Sequence, residues 1–174
     1  MNEGTSPLPK LVLIVDDIED NRILLDRALK SSGYATVQAD SGRAALSIIS
    51  QQRPQVVLLD WMMPGLSGLE TLRAIRELYP KTQLPVIMCT AMDEEMSVVT
   101  AINEGANDYM LKPISLPILR ARMSVHLDQR DAIDTLMTEK LHAERKLGEQ
   151  TRSMLIAMAR ERRSVAPVDG QVKL

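Results

Sequence analysis

Five polar side chains stand at the ends of short apolar runs in the sequence. Asp16 and Asp17 follow the first run. Asp60 follows the third run, Thr90 follows the fourth, and Lys112 follows the fifth. The carboxyl ends of parallel strands converge on one crevice at an edge of their sheet. If the runs are such strands, that edge gathers three carboxylates, one hydroxyl and one ammonium group.

Three carboxylates held together repel one another unless a cation joins them, and a few hard oxygen ligands with room for water suit Mg²⁺. A carboxylate beside a divalent cation and an ammonium group can attack a phosphoryl group and form an aspartyl phosphate. Lys112 supplies a compact positive charge for one phosphoryl oxygen, and the Thr90 hydroxyl can donate a hydrogen bond to another. The pattern therefore predicts magnesium-assisted phosphoryl transfer.

The elements that must position these side chains alternate regularly along the chain. Short, nearly continuous apolar runs are typical of parallel strands buried on both faces. They are Leu11–Val15, Ala35–Ala39, Val56–Leu59, Val86–Cys89 and Asp108–Leu111. Segments with helical spacing lie between them, at Asn21–Lys30, Arg43–Ser50, Leu69–Leu78 and Glu95–Asn103. This order predicts an α/β fold in which helices cover a five-stranded parallel sheet.

Turn and cap residues agree with these bounds. Ser41 is a predicted N-cap of the second helix. Ser67 precedes the third helix, and Glu70 lies three residues after Ser67, which is the spacing of a capping box. Gly105 is expected to end the fourth helix.

The same residues carry a family resemblance. In the order Val15-Asp16-Asp17, Leu58 to Gly65, Thr90-Ala91 and Lys112-Pro113, the chain resembles the receiver domains of two-component response regulators. The resemblance covers residues 9–130. It implies a flavodoxin-like, doubly wound sheet with strand order 2-1-3-4-5. It also implies that Asp60 is the phosphoacceptor, phosphorylated by a histidine kinase.

The resemblance further implies a ligand set for Mg²⁺. Asp17 and Asp60 would bind the ion directly, the Met62 backbone carbonyl would be a third protein ligand, and Asp16 would act through water. Pro64 and Gly68 match the turn that follows the acceptor in the family.

The resemblance also implies a conformational change on phosphorylation and residues that set the lifetime of the phosphoryl group. Thr90 would move towards the phosphoryl group, and Tyr109, three residues before Lys112, would rotate inward. The face formed by the fourth helix, fifth strand and fifth helix would report the change. Met62 and Met92 flank the path of attacking water in such receivers, so their apolar side chains are expected to prolong the life of the phosphoryl group.

A long helix is predicted beyond the receiver, from about Leu116 to Arg163. A heptad register places Ile133, Leu136, Lys140, Ala143, Leu147, Gln150, Met154 and Ala157 at core positions. Six of these eight are apolar, which favours a coiled coil without specifying its strand number or orientation. A homodimer through the receiver face and this helix is expected. The expected organisation is a flexible leader at 1–8, the receiver at 9–130, a helical extension at 131–163 and a flexible tail at 164–174.

Three interpretations of this extension stay open. It can dimerise and lead to an output domain outside the chain, so that the chain is a regulatory fragment of a larger enzyme or regulator. It can itself bind a partner protein, as a stand-alone adaptor. Or it can be a degenerate kinase-like dimerisation helix, in which Arg160 stands where the phosphorylated histidine would be.

Composition limits the other classes of function. The single cysteine, the absence of a signal-like start and the lack of long apolar runs favour a cytoplasmic protein without a membrane span. Basic residues of the tail alternate with acidic ones, so no nucleic-acid binding is predicted, and no enzyme activity is expected. A flavin carrier needs a phosphate-binding loop where the acidic Asp16-Asp17 pair stands, and a haloacid-dehalogenase-type phosphatase needs a second Asp two residues after Asp17, where Glu19 stands.

Overall fold

The computed structural model describes residues 9–91 and 95–164 of the chain, with side chains at 95–97 and 161–164 left aside. Within these residues the five strands form one parallel sheet. They are β1 (Leu11–Val15), β2 (Ala35–Ala39), β3 (Val56–Asp60), β4 (Val86–Thr90) and β5 (Asp108–Leu111). Their spatial order is β2-β1-β3-β4-β5, which confirms the predicted flavodoxin-like α/β topology.

The described helices alternate with the strands. They are α1 (Glu19–Lys30), α2 (Gly42–Gln52), α3 (Gly68–Leu78), α4 (Glu95–Asn103) and α5 (Leu116–Ser164). The helix predicted from Asn21 begins two residues earlier, at Glu19. β3 and β4 each extend one residue beyond the predicted apolar runs, because Asp60 pairs with Cys89 and Thr90 pairs with Leu111 in the sheet. Asp60 and Thr90 are therefore the last residues of their strands.

Alternate residues of the central strands build two cores, one on each face of the sheet. Leu13, Leu59 and Met88 belong to one core, which packs against residues of α2, α3 and α4. Ile14 and Leu58 belong to the other core, which packs against residues of α1 and α5. Both faces are buried, as expected for a parallel sheet covered by helices on its two sides.

Two predicted helix caps are present. The Ser41 hydroxyl accepts a hydrogen bond from the Ala44 amide at the start of α2. At the start of α3, the Ser67 hydroxyl accepts from the Glu70 amide, and the Glu70 carboxylate accepts from the Ser67 amide. This reciprocal capping box fixes the first turn of α3 next to the loop that follows Asp60.

The helix α5 spans two compact units, Met1–Ala132 and Ile133–Leu174. In the first unit, one face of α5 is buried in the core that contains Ile14 and Leu58, through Leu119, Met123 and Leu127. In the second unit, the described apolar side chains beyond Ile133 are exposed; Leu136 and Leu147, for example, are each 64% exposed. Residues 1–8 and 165–174, in the predicted leader and tail, lie outside the described part of the chain.

Candidate functional site

The three carboxylates of the predicted site come together at the carboxyl edge of the sheet. One carboxylate oxygen from each of Asp16, Asp17 and Asp60 lies within 4.8 Å of the others. Asp16 and Asp60 are buried, whereas Asp17 is exposed. The predicted convergence of strand ends thus holds for all three acidic residues.

Lys112 joins two of these carboxylates. Its ammonium nitrogen lies 2.7 Å from Asp16 Oδ2 and 2.7 Å from Asp60 Oδ1. Burial disfavours its charge, but the hydrogen bonds to both carboxylates outweigh burial and raise the pKa of Lys112. Lys112 is therefore charged at neutral pH and stands directly beside the candidate acceptor.

The surroundings of Asp60 disfavour the negative charge of its carboxylate. Burial raises the pKa of Asp60; the hydrogen bond and charge of Lys112 oppose the rise, and the carboxylates of Asp16 and Asp17 add to it. One ammonium group thus faces three carboxylates, and the site carries excess negative charge. A divalent cation with oxygen ligands would relieve that excess, so the residues present fit Mg²⁺.

The backbone around Asp60 leaves no room for a side chain at Gly68. A Cβ atom at Gly68 would lie 2.0 Å from the Asp60 carbonyl oxygen and 2.9 Å from the Trp61 Cα atom. The Gly68 amide also donates a hydrogen bond to the Trp61 carbonyl, at 3.0 Å. Glycine is therefore required here so that the start of α3 can pack against the end of β3.

Thr90 and Tyr109 occupy the positions that the sequence predicted on β4 and β5. Thr90 is buried, and its carbonyl accepts a hydrogen bond from the Lys112 amide at 2.8 Å. Tyr109 is half-buried, packs against the core that contains Met88, and lines a depression of about 250 Å³ together with Ile118 and other residues. Its ring therefore lies at the border between the core and the outer surface of β5.

The structure describes only one of the two methionines that were predicted to shield the phosphoryl group from water. The Met62 side chain is 58% exposed in the loop after Asp60 and lines a depression of about 380 Å³ with Trp61 and Pro64. The roles of its carbonyl as a ligand and of its side chain as a shield stay predictions. Met92 lies outside the described residues.

Two residues at the site were not predicted from the sequence. The Asn21 amide nitrogen lies 3.1 Å from both carboxylate oxygens of Asp16. The Arg22 guanidinium donates to the Asp16 backbone carbonyl at 2.7 Å. Both lie in the first turn of α1, and the short β1–α1 loop indicates that this turn lies near the strand end, but no sequence pattern indicates which of its side chains contact Asp16.

Comparison with known proteins decides the family. Residues 12–124 match the response regulator receiver domain. The chain belongs to the response regulator receiver family. Phosphorylation and Mg²⁺ binding are typical of these receivers.

The receiver has well-matched relatives among regulatory proteins. It is 36% identical over 130 residues to the transcriptional regulatory protein AfsQ1 of Streptomyces coelicolor. The matched segment covers 74% of this chain and 56% of that protein. It is 41% identical over 116 residues to the response regulator MprA of Mycolicibacterium vanbaalenii, covering 67% of this chain and 49% of that protein. The chain thus spans about half the length of the curated relatives it matches.

The receiver fold also matches solved structures. A CheY-like response regulator receiver domain protein from Methanospirillum hungatei superposes with a TM-score of 0.66 at 27% identity, covering 71% of this chain and 98% of that chain. Among the residues that the structure describes, no helix is long and apolar enough to cross a membrane.

Proposed function

We propose that Asp60 accepts a phosphoryl group from the phosphohistidine of a histidine kinase. An oxygen of the Asp60 carboxylate attacks phosphorus, the P–N bond breaks, and the imidazole nitrogen leaves with the electron pair and takes up a proton. The observation that carries this proposal is the position of Lys112, whose ammonium group lies 2.7 Å from both Asp60 and Asp16. A fixed positive charge at that point can stabilise the negative phosphoryl oxygens during transfer.

The acidic cluster supports a magnesium site. Asp17 and Asp60 would hold the ion directly, with the Met62 carbonyl as a further ligand and Asp16 acting through water. When bound, Mg²⁺ neutralises charge shared by the acceptor and the phosphoryl oxygens. Asp17 is suited to direct binding because it is exposed at the rim of the cluster.

Transfer is proposed to switch the face built by α4, β5 and α5. The Thr90 hydroxyl would move towards the phosphoryl group and donate a hydrogen bond to one of its oxygens. Tyr109 would then turn inward into the space left behind. Its half-buried position at the edge of the core supports this movement, because a modest rotation changes both its packing and the outer surface.

The duration of the signal would depend on access of water to the phosphoryl group. Apolar side chains at Met62 and Met92 are proposed to slow hydrolysis compared with receivers that carry polar side chains at both places. The exposed position of Met62 over the loop after Asp60 is consistent with that role.

The output is proposed to run through the second unit of α5. Its exposed apolar side chains recur at heptad spacing, including Leu136, Leu147 and Met154, and an isolated helix of this kind gains stability by pairing with another. We propose that phosphorylation promotes homodimerisation through the receiver face and this helix, in the cytoplasm and without enzyme activity or nucleic-acid binding of the chain's own. Binding of an output protein to the same helix is the alternative that favours an adaptor.

Two measurements test these proposals. Acetyl phosphate with Mg²⁺ should retard the wild-type chain on a phosphate-affinity gel, whereas Asp60→Asn, or wild type with EDTA, should not shift. Sedimentation with and without beryllofluoride, a phosphoryl mimic, then tests the output. A monomer in both states would refute phosphorylation-driven dimerisation while leaving the phosphoacceptor proposal intact.

A further inference from the structure

Asn21 is a polar side chain of the site to which the proposed reaction gives no role. It lies in the first turn of α1, half-buried, and its amide nitrogen is 3.1 Å from each oxygen of the Asp16 carboxylate. It also lines a cavity of about 190 Å³ together with Asp16 and Lys112. The amide therefore stands next to the reacting groups without touching the acceptor oxygen that Lys112 binds.

Both oxygens of the Asp16 carboxylate accept hydrogen bonds from donors of the protein. Oδ1 accepts from the Ile18 amide at 2.9 Å and from Asn21. Oδ2 accepts from Asn21 and from the Lys112 ammonium group at 2.7 Å. Since one Asn21 nitrogen lies 3.1 Å from both oxygens, it donates one shared, three-centre hydrogen bond, and the carboxylate keeps an acceptor site for the water through which it is proposed to act on Mg²⁺. Asp16 is 2% exposed, so few bulk waters compete with these donors.

The shared hydrogen bond from Asn21 to both oxygens fixes how the carboxylate is turned. The terminal torsion of an aspartate side chain has broad minima, so a buried carboxylate needs donors on both oxygens to hold one orientation. Ile18 alone holds Oδ1 from one side. With Asn21 in place, Oδ2 points at Lys112 and keeps that ammonium group between Asp16 and Asp60.

We propose that Asn21 is a positioning residue for phosphoryl transfer, which acts by orienting Asp16 and, through Asp16, the Lys112 ammonium group. The inference rests on the proposed function of Asp60. Lysine is a point charge on a flexible four-carbon stem, so its position depends on the partners that hold it. Loss of Asn21 would leave Lys112 with one fixed partner, Asp60, which is the group that must become free to react.

Asn21 is not needed to hold the β1–α1 loop itself. Arg22 ties the Asp16 backbone carbonyl at 2.7 Å, and the Arg22 amide donates to the Ile18 carbonyl at 3.3 Å. These contacts remain when the Asn21 side chain is removed. The expected effect of removal is therefore on the rate of transfer rather than on the fold.

The test compares Asn21→Ala with Asn107→Ala in the full chain. Asn107 lies before β5, at the opposite edge of the sheet, where its side chain contacts Arg76, Lys81 and the Val86 amide. Its removal deletes an amide with three hydrogen bonds far from the site, so it controls for loss of stability. Asn21→Leu is close to asparagine in size, lacks the N–H donors and adds no charge, so it serves as a second variant if Asn21→Ala folds poorly.

The rate of phosphorylation by acetyl phosphate is measured on phosphate-affinity gels at saturating Mg²⁺. The dissociation constant for Mg²⁺ is measured from the fluorescence of Trp61, the single tryptophan, which adjoins Asp60. We expect a maximal rate about tenfold lower in Asn21→Ala and in Asn21→Leu. Asn107→Ala should stay within about twofold of wild type, and the Mg²⁺ constant of Asn21→Ala should change by no more than about twofold.

Two results would overturn the inference while leaving the proposed function standing. One is a wild-type chain that is phosphorylated and Asn21 variants that react at the wild-type rate. The other is an equal slowing in Asn21→Ala and Asn107→Ala, which would assign the effect to stability. A wild-type chain that takes up no phosphoryl group would instead refute the proposed function itself.

Discussion

The charge of Asp60 is predicted to destabilise the receiver when no cation is bound. At an effective dielectric constant of about 20, the ammonium group 2.7 Å away attracts the ionised carboxylate by about 6 kcal/mol. Two carboxylates within 4.8 Å each repel it by about 3.5 kcal/mol, so repulsion and attraction roughly cancel and the cost of burial decides the sign. Burial of the charge adds a further cost, because Asp60 is only 5% exposed.

Asp60→Asn removes this charge and keeps the size of the side chain. We expect it to raise the free energy of unfolding by about 2 kcal/mol in EDTA, which corresponds to a melting temperature higher by about 4–8 °C. Saturating Mg²⁺ should reverse the order, since an ion at 100 times its dissociation constant stabilises the wild type by about 2.7 kcal/mol. Calorimetry or thermal circular dichroism measures both arms.

The pH dependence gives the prediction a second test. The pKa of Asp60 is raised above its ordinary value of 3.8, so the ionised form is disfavoured in the folded state. Below pH 3.8 the carboxyl is protonated in both states and the penalty is absent. The penalty develops as the pH rises from 3.8 through the raised pKa, so wild type and Asp60→Asn should converge in acid and diverge towards neutral pH.

Asp128→Asn is the matched control, because Asp128 is exposed and accepts a 3.4 Å hydrogen bond from the Ser124 hydroxyl in the same helix. It should leave the melting temperature unchanged. An Asp60→Asn chain that is less stable than wild type in EDTA would refute the electrostatic reasoning.

Three further predictions concern the surroundings of the site. Gly68→Ala should cost about 3 kcal/mol of stability in urea titrations, since its Cβ would lie 2.0 Å from the Asp60 carbonyl oxygen. Burial raises the pKa of the Cys89 thiol to about 12, so roughly one thiol in ten thousand is ionised at pH 8. Iodoacetamide should therefore label Cys89 only when the protein is unfolded in denaturant. Met62→Asn combined with Met92→Glu should shorten the life of the phosphoryl group, measured as the decay of the gel-shifted species after removal of acetyl phosphate; an unchanged decay rate would disprove the water-shielding role.

Controls separate these effects from general damage. Gly148→Ala makes the same substitution at a helical glycine whose added Cβ would meet nothing within 4 Å, and it should stabilise the chain by about 1 kcal/mol or less. A Gly68→Ala chain as stable as wild type would refute the steric argument. Rapid labelling of Cys89 under native conditions would contradict its burial beneath the sheet edge.

The fold could be predicted from the sequence because its signals are local. Short apolar runs such as Val56–Leu59, alternating with helical segments, are typical of a parallel sheet buried on both faces, and the Ser67 capping box fixes where α3 begins. The strand order followed from the family resemblance, since periodicity alone does not determine which strands are neighbours. Element bounds moved by one or two residues where a polar residue, such as Asp60, continues a strand.

The site was predictable to the level of its strand ends and no further. Asp16, Asp60 and Lys112 were expected to meet, because parallel strands place their carboxyl ends at one edge. That Lys112 bridges two carboxylates, and that Asn21 holds one of them, depends on rotamers and on the entry angle of α1. Neither property has a local signal in the sequence, since both are set by packing across more than one element.

Phosphorylation of Asp60 is tested most directly by the intact mass of the chain after incubation with acetyl phosphate and Mg²⁺, followed by mapping of the modified peptide. We expect one addition of about 80 Da, located on the peptide that carries Asp60, abolished by EDTA and absent in Asp60→Asn. No mass gain in the wild type, or an equal gain in Asp60→Asn, would contradict the assignment of Asp60 as the phosphoacceptor.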